Sequence, residues 1–216
     1  TLDGSTTMRN YSLSDKPGTN WLRISVKRET APTSDIPEGY VSNYLHRNIE
    51  VDSELEIAPP CGNFFLNMNA KHRRALVFLA GGIGITPIMS MLLVALEARL
   101  NRKIILIHSI LNEEVQAFQN TLEKLNQEHG NLEVHYRYSE KTRNEIGRSG
   151  RSSTGFISTN LIEFLVPNKD ADYYFCGPKQ FMVYIYNQLL EWNIPFAQIH
   201  FEFFGPKEEL QLKQVV

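Results

Sequence analysis

The sequence predicts an α/β protein with a parallel sheet, preceded by a small antiparallel β module. Two rhythms and one boundary carry this. From residue 75 onward, short apolar runs alternate with helical periodicity, as βαβ units require. Before about residue 70 the runs are short, alternating and broken by Pro and Gly, as in a small barrel or sandwich. Between the two, Asn67, Asn69, Lys71, His72, Arg73 and Arg74 form a polar cluster, which sets units over 1–70 and 71–216.

In the first unit, Leu22, Ile24 and Val26 alternate with Arg23, Ser25 and Lys27, the pattern of a half-buried strand. Pro32, Pro37 and Gly39 mark a loop. Leu55 and Ile57 alternate with Glu54 and Glu56 until Pro59-Pro60, which cannot donate to a ladder, ends the run. In the second unit, Ala75–Ala80 is a buried strand and Thr86 to about Leu100 a helix. Ile104–Ile110 is the next strand. Glu113–Glu128 reads as a helix on Val115, Phe118, Leu122 and Leu125, closed by Gly130. Leu132–Tyr138 is a strand, and 139–155, rich in Gly, Ser and Arg, a loop. A short helix follows over Asn160–Val166, then strand Asp172–Cys176, helix Lys179–Trp192 and strand Ile199–Phe203.

Composition excludes several classes. The chain has 216 residues, 42% apolar and 21% charged, with net charge −2, which is too apolar and too neutral for disorder. That charge gives no footprint for non-specific nucleic-acid binding. Cys61 and Cys176 cannot make a disulfide framework, so a cytoplasmic chain is the expectation. No metal site or iron–sulfur cluster follows from two distant cysteines. The first ten residues hold no basic and apolar signal segment. Residues 75 to 96 are free of charge, but Gly81-Gly82-Ile83-Gly84-Ile85-Thr86-Pro87 at their centre suits a strand–turn–helix better than a membrane span.

That glycine turn is the first candidate site. Glycines let backbone approach a ligand closely. Thr86 reads as an N-cap and Pro87 as the first helical residue. The helix start would then offer N–H groups and a positive dipole to an anion such as a pyrophosphate. Pro87 stands where a Gly-x-Gly-x-x-Gly fingerprint has its third glycine, and a plain tight turn explains the same letters. The second candidate is Cys176-Gly177-Pro178, at the end of an apolar strand where ligands of open α/β sheets sit. Cys176 read alone is a small buried hydrophobe. Arg9-Asn10-Tyr11-Ser12 pairs a phosphate-binding side chain with a ring on the same strand face. Glu202-Phe203-Phe204-Gly205-Pro206 places an aromatic just past a strand end, where it serves as a ring cover or as core.

In this order the motifs resemble the ferredoxin–NADP reductase superfamily, and most closely the reductase part of flavohaemoglobins, over nearly the whole chain from Arg9 to Pro206. The resemblance implies a flavin domain followed by a Rossmann-like NAD(P) domain. Arg9-Asn10-Tyr11-Ser12 is similar to the family's Arg-x-Tyr-Ser, so Arg9 would meet the FAD pyrophosphate, with Tyr11 and Ser12 on the isoalloxazine. Val26–Glu29 and Gly39–His46 look like the next family segments, with Gly39, Val41 and Ser42 holding the pyrophosphate at a helix start. Ala58–Phe65 is similar to the Ala-Pro-x-Gly-x-Phe stretch, with Cys61 where Ala is usual. Gly82, Gly84, Thr86 and Pro87 would bind the nicotinamide dinucleotide, with Cys176, Gly177 and Pro178 beside the nicotinamide. Ile199–Pro206 is close to the flavohaemoglobin ending, in which Phe204 lies over the flavin and Glu202 at its edge. Absent are the haem-binding globin domain and the opening barrel segment with Pro-Gly-x-Tyr. The expectation is therefore a partial flavin barrel and a chain that starts inside the flavin domain.

The chemistry implied is hydride transfer from NADH or NADPH to FAD, then single electrons to a globin haem, in nitric oxide dioxygenation. Tyr11, Ser12, Glu202 and Phe204 would stand at the reacting rings. Glu113 and Glu114 follow the second strand of the α/β unit, where carboxylates favour a free ribose. Lys141, Arg143, Arg148 and Arg151 lie in the next loop, either as a 2′-phosphate site or as a solvated loop. Two other readings stand beside this one: a stand-alone flavin reductase serving another acceptor, and a nucleotide-binding remnant without activity.

Overall fold

A computed structural model describes residues 7–68, 73–140 and 152–204. Six strands form one sheet: β1 (Ala75–Gly81), β2 (Ile104–Ile110), β3 (Leu132–Tyr138), β4 (Ser152–Thr154), β5 (Ala171–Gly177) and β6 (Ile199–Phe203). Their order is β4-β3-β2-β1-β5-β6, and every neighbouring pair is parallel. The chain thus winds outward from β1 in one direction, then crosses back to β5 and winds out in the other.

Parallel sheets need both faces covered, and the sequence supplies both layers. On one face, Leu76, Phe78 and Ala80 of β1 pack with α2 (Ile85–Glu97) and with Leu122 of α3 (Gln119–Glu128). On the other, Val77 and Leu79 pack with α4 (Thr159–Leu165) and α5 (Lys179–Glu191). The central strands read as unbroken apolar runs for this reason. β3 alternates because the chain buries only one of its faces: Leu132, Val134, Tyr136 and Tyr138 turn inward. At the opposite end of the sheet from the strands' carboxyl termini, a buried ion pair joins Arg102 Nη2 to Asp172 Oδ2 at 2.5 Å. Arg102 Nε also donates to the Arg74 carbonyl, and Arg74 pairs with Asp170 at 2.8 Å.

The elements from Ala75 onward follow the expected order, with a 3-10 turn added at Phe196–Gln198 and the differences that follow. The helix expected over Glu113–Glu128 is split into a short 3-10 turn at Glu113–Val115 and α3. Phe118 between them has φ 60°, outside the helical region, and Val115 is exposed. The end of the expected loop over 139–155 carries β4, a three-residue edge strand too short for periodicity to mark. The glycine turn is itself a 3-10 turn, Gly82–Gly84, that runs straight into α2.

Before β1 the described residues carry one helix, α1 (Tyr40–Asn48), and two isolated antiparallel bridges, Leu13–Ile24 and Thr33–Ile36. The half-buried strands expected around Leu22–Val26 and Leu55–Ile57 are not formed as strands there. Leu22, Ile24, Leu55 and Ile57 are exposed. Alternation buries a face only where a second layer covers it, and the described residues cover these side chains only in part. This segment does reach the sheet. Leu66 is buried in the α2 face core, Phe64 meets the Tyr174 ring at 6.2 Å, and Lys16 pairs with Glu97 of α2. No helix among the described residues is long and apolar enough to cross a membrane.

Candidate functional site

The strand order reverses between β1 and β5, which opens a crevice at their carboxyl ends, the usual ligand position of such sheets. The strand register brings the candidate residues to one level. Ala80 pairs with Cys176, Cys176 with Glu202, and Gly177 with Phe203. The glycine turn and the Cys176-Gly177-Pro178 turn therefore flank the same opening.

Gly82 and Gly84 do different work in that turn. Gly82 has φ 52°, a conformation side chains disfavour, and a Cβ placed on it would meet nothing within 4 Å. It borders open space. Gly84 is the reverse: a Cβ there would lie 2.2 Å from the Cys176 carbonyl oxygen and 2.6 Å from the Gly177 nitrogen. Its backbone is pressed onto β5. The close helix–strand packing that a fingerprint assigns to its third glycine is here done by Gly84, so the proline at 87 costs nothing.

Thr86 is not the N-cap. Gly84 is, and α2 begins at Ile85, because the 3-10 turn delivers the chain to the helix early. Thr86 instead donates its hydroxyl to the Ile83 carbonyl at 3.1 Å. Pro87, one of the first three helical residues, is buried and still lies where no intrahelical N–H bond is needed. Beneath the turn stands His108 of β2, which sequence reasoning passed over. It is fully buried, and its Nε2 lies 2.9 Å from the Gly82 carbonyl oxygen. Burial pushes its pKa from 6.5 down to about 4, against that hydrogen bond. The signal was available: a lone imidazole in the apolar run Ile-Ile-Leu-Ile-His-Ser-Ile.

Cys176 is wholly buried, and its thiol is pushed up in pKa by burial first and by Glu202 second, which makes it a poor nucleophile. Its part in the turn is its backbone. Pro178 caps α5. Phe204, past the end of β6, is 44% exposed at the rim, and a Cβ on Gly62 would lie 3.6 Å from Glu202 Oε1. Gly62 thus lies beside the Glu202 carboxylate at the end of β6.

The remaining candidates lie in the segment before β1. Arg9 is exposed and donates Nη1 to its neighbour's carbonyl at Met8, 2.7 Å away. Tyr11 is half-buried, its pKa raised by burial and opposed by Arg9, and Ser12 is half-buried beside it. Gly39 caps α1 with no side-chain cap bond. Ser42 is buried, donating to the Gly39 carbonyl at 3.1 Å and accepting from the Glu29 amide at 3.3 Å, whereas Val41 is half-buried. Asn43, not singled out from sequence, is the organiser. Its Nδ2 bonds the Glu29 and Gly39 carbonyls and its Oδ1 accepts from Arg28 Nε at 2.6 Å.

Past the carboxyl end of β2, Asn112 ties the segments that follow β2 and β3. Its Oδ1 accepts from the Glu114 amide, and its Nδ2 donates to Glu140. Glu113 shares that 3-10 turn. Lys141, Arg143, Arg148 and Arg151, like Gly205 and Pro206, lie outside the described residues. No group of three or more His, Cys, Asp or Glu among the described residues could hold a metal ion.

Comparison with known proteins agrees with this geometry. The chain is 39% identical to the flavohemoprotein of Rhodopirellula baltica over 205 residues, 95% of this chain and 50% of that protein. It is 40% identical to the flavohemoprotein of Oceanobacillus iheyensis over 94% of this chain and 48% of that one. It spans about half the length of the relatives it matches. Among solved structures, it superposes on the flavohem-like FAD/NAD binding domain of nitric oxide dioxygenase from Vibrio cholerae with TM-score 0.79 and 29% identity, over 92% of this chain and 77% of that one. The cytochrome P450 reductase GcoB of Amycolatopsis shares the fold at TM-score 0.78 and 20% identity, over 94% and 58%. The oxidoreductase NAD-binding domain family matches residues 78–186, from within β1 to within α5. That span takes in both turns of the crevice and the buried histidine beneath one of them, and it places this chain in the oxidoreductase NAD-binding domain family.

Proposed function

We propose that the chain is the reductase portion of a flavohaemoglobin-type nitric oxide dioxygenase: a cytoplasmic NAD(P)H-dependent flavoprotein that passes electrons through FAD to a haem globin domain. Residues 1–70 would hold FAD and residues 71–216 NAD(P)H. The observation that carries the reading is the division of labour between Gly82 and Gly84 at the sheet's reversal point. One glycine leaves backbone open to a ligand while the other seats the helix start on β5.

The residues present fit both groups. For NAD(P)H, the turn offers a bare backbone surface at a helix N-terminus, which suits a pyrophosphate. For FAD, α1 starts behind an uncapped Gly39, and Arg28 is held beside it with only its Nε engaged among the described residues. Bound FAD supplies hydride acceptance and single-electron release. The protein's share is placement. Gly82 and the start of α2 take the dinucleotide pyrophosphate, and Cys176-Gly177-Pro178 lines the nicotinamide side with backbone. Phe204, exposed at the rim, would cover the flavin ring and would give way to the nicotinamide. Tyr11 and Ser12 contact the flavin ring, Arg9 its pyrophosphate, and Glu202 carries charge to its edge.

The test is a visible spectrum of the protein loaded with FAD, read before and after NADH. Flavin bands that bleach support a reductase, and a protein that takes up no flavin removes this reading. Adding a globin domain then asks the finer question. Reduction of its haem supports the flavohaemoglobin assignment, and flavin reduction with an oxidised haem points to a different acceptor.

A further inference from the structure

His108 has the geometry of a device and not of filler. It stands on the α2 face of the sheet, level with Ala80 and Tyr136 on the neighbouring strands, beneath the glycine turn. A carbonyl oxygen only accepts, so the 2.9 Å contact fixes the tautomer: Nε2 carries the proton and donates to Gly82. Nδ1 is then a bare acceptor, and it has no hydrogen-bond partner among the described residues. A fully buried ring that leaves one nitrogen unpaired gives up stability for the bond made by the other. The Gly82 carbonyl also accepts from the Ile85 amide, so it is held from two sides.

A trans peptide plane points its C=O and N–H in opposite directions. No peptide in the described chain is cis. With the Gly82 carbonyl facing the imidazole, the amide of Ile83 in the same plane points away from that ring, and Gly82 itself borders open space. The Ile83 amide is also one of the first amides of a helical turn, which have no intrahelical acceptor.

We propose that His108 is a positioning residue for dinucleotide binding: by pinning the Gly82 carbonyl it aims the Ile83 N–H outward at a pyrophosphate oxygen. The assignment rests on the nucleotide-binding reading above. A donor without charge is what the place demands, since a lysine would bring a cation into an apolar core. The ring remains uncharged at neutral pH and does the task as a fixed dipole.

The test uses the full chain, with ADP-ribose as probe, by calorimetric titration. His108→Phe keeps the ring volume and removes the donor. His108→Gln returns an N–H close to the Nε2 position. The expected result is a dissociation constant about tenfold weaker for His108→Phe, the worth of one well-placed hydrogen bond, with His108→Gln within about threefold of wild type. Equal binding by wild type and His108→Phe overturns the proposal, as does an equal loss in both variants when both unfold cooperatively. A measurement on the unaltered protein covers a variant that does not fold. Nitrogen-15 histidine spectra should show the Nε2–H tautomer at His108, and its resonance should move when ADP-ribose is added. An Nδ1–H tautomer, or an unmoved resonance at saturating ADP-ribose, also overturns it. Wild type that binds no ADP-ribose instead removes the nucleotide-binding reading itself.

Discussion

Gly84 and Cys176 touch backbone to backbone: a methyl group on the glycine would stand 2.2 Å from the cysteine's carbonyl oxygen. Neither partner is a flexible side-chain tip, so neither can step aside cheaply. Gly84→Ala should therefore destabilise the protein by about 2 kcal/mol or more, as overpacking does in tight interiors. Urea denaturation reads the loss. A variant as stable as the parent would show that α2 can slide away from β5.

Gly82 makes the opposite prediction. A side chain there has room but must adopt φ 52°, which costs on the order of 1–3 kcal/mol for a bulky residue. Gly82→Val should fold, with a lower melting point, and lose NADH binding because the side chain fills the approach to the turn. Normal NADH affinity in a folded Gly82→Val protein would remove the turn from the site.

Stability should fall in acid through His108. Its pKa is 6.5 unfolded and about 4 folded. Between those values the unfolded chain holds a proton that the folded chain does not, so stability drops as pH falls from about 6.5 to about 4 and is independent of this group above that window. The span corresponds to about 3 kcal/mol. His200, also lowered by burial, acts in the same direction. Denaturation midpoints at pH 7 and pH 4.5 should converge more closely in His108→Gln than in wild type. Equal acid sensitivity in the two proteins would place the effect elsewhere.

The Arg102–Asp172 pair is buried on both sides, with 6% and 5% of the side chains exposed. Removing Arg102 leaves Asp172 desolvated with Arg74 Nη1 still 3.7 Å from it, so the cost should reach at most about 3–5 kcal/mol, that of a fully uncompensated buried charge. Arg102→Leu should show that loss in chemical denaturation. The double change with Asp172→Leu should cost less than the two single changes added together. Strict additivity would mean that the two charges do not support each other.

Phe204 sits at the rim with nearly half its surface exposed. If it covers the flavin, Phe204→Ala should alter nicotinamide affinity and the preference between NADH and NADPH. Steady-state kinetics with both cofactors, unchanged, would count against that role.

The legible part of the fold was the part with two layers. β3 and β6 have the bounds that their patterns predict, and β1, β2 and β5 read as apolar runs because both of their faces are covered. Where one layer is thin the pattern misleads. Leu22 and Ile24 alternate with polar residues and yet lie exposed, because alternation records a face to be covered and not the thing that covers it. The glycine turn was legible as a candidate, but its internal roles were not. Nothing in the letters says that Gly84 abuts a β5 carbonyl while Gly82 faces open space, since both facts depend on a strand about 90 residues away. His108 was missed for the same reason. Its meaning comes from the carbonyl above it, which periodicity does not see.

Phe64 and Leu66 lie upstream of the polar cluster that marks a boundary in the sequence, yet they pack on the far side of it, against Tyr174 and the α2 face. The seam in the letters is thus not a seam in the packing. A cut at residue 73 would strip two apolar side chains from the sheet and leave a sticky scar on the excised piece. Any recombination that swaps one unit against a new partner must carry these few residues with the sheet, so the heritable module is longer than its own secondary structure.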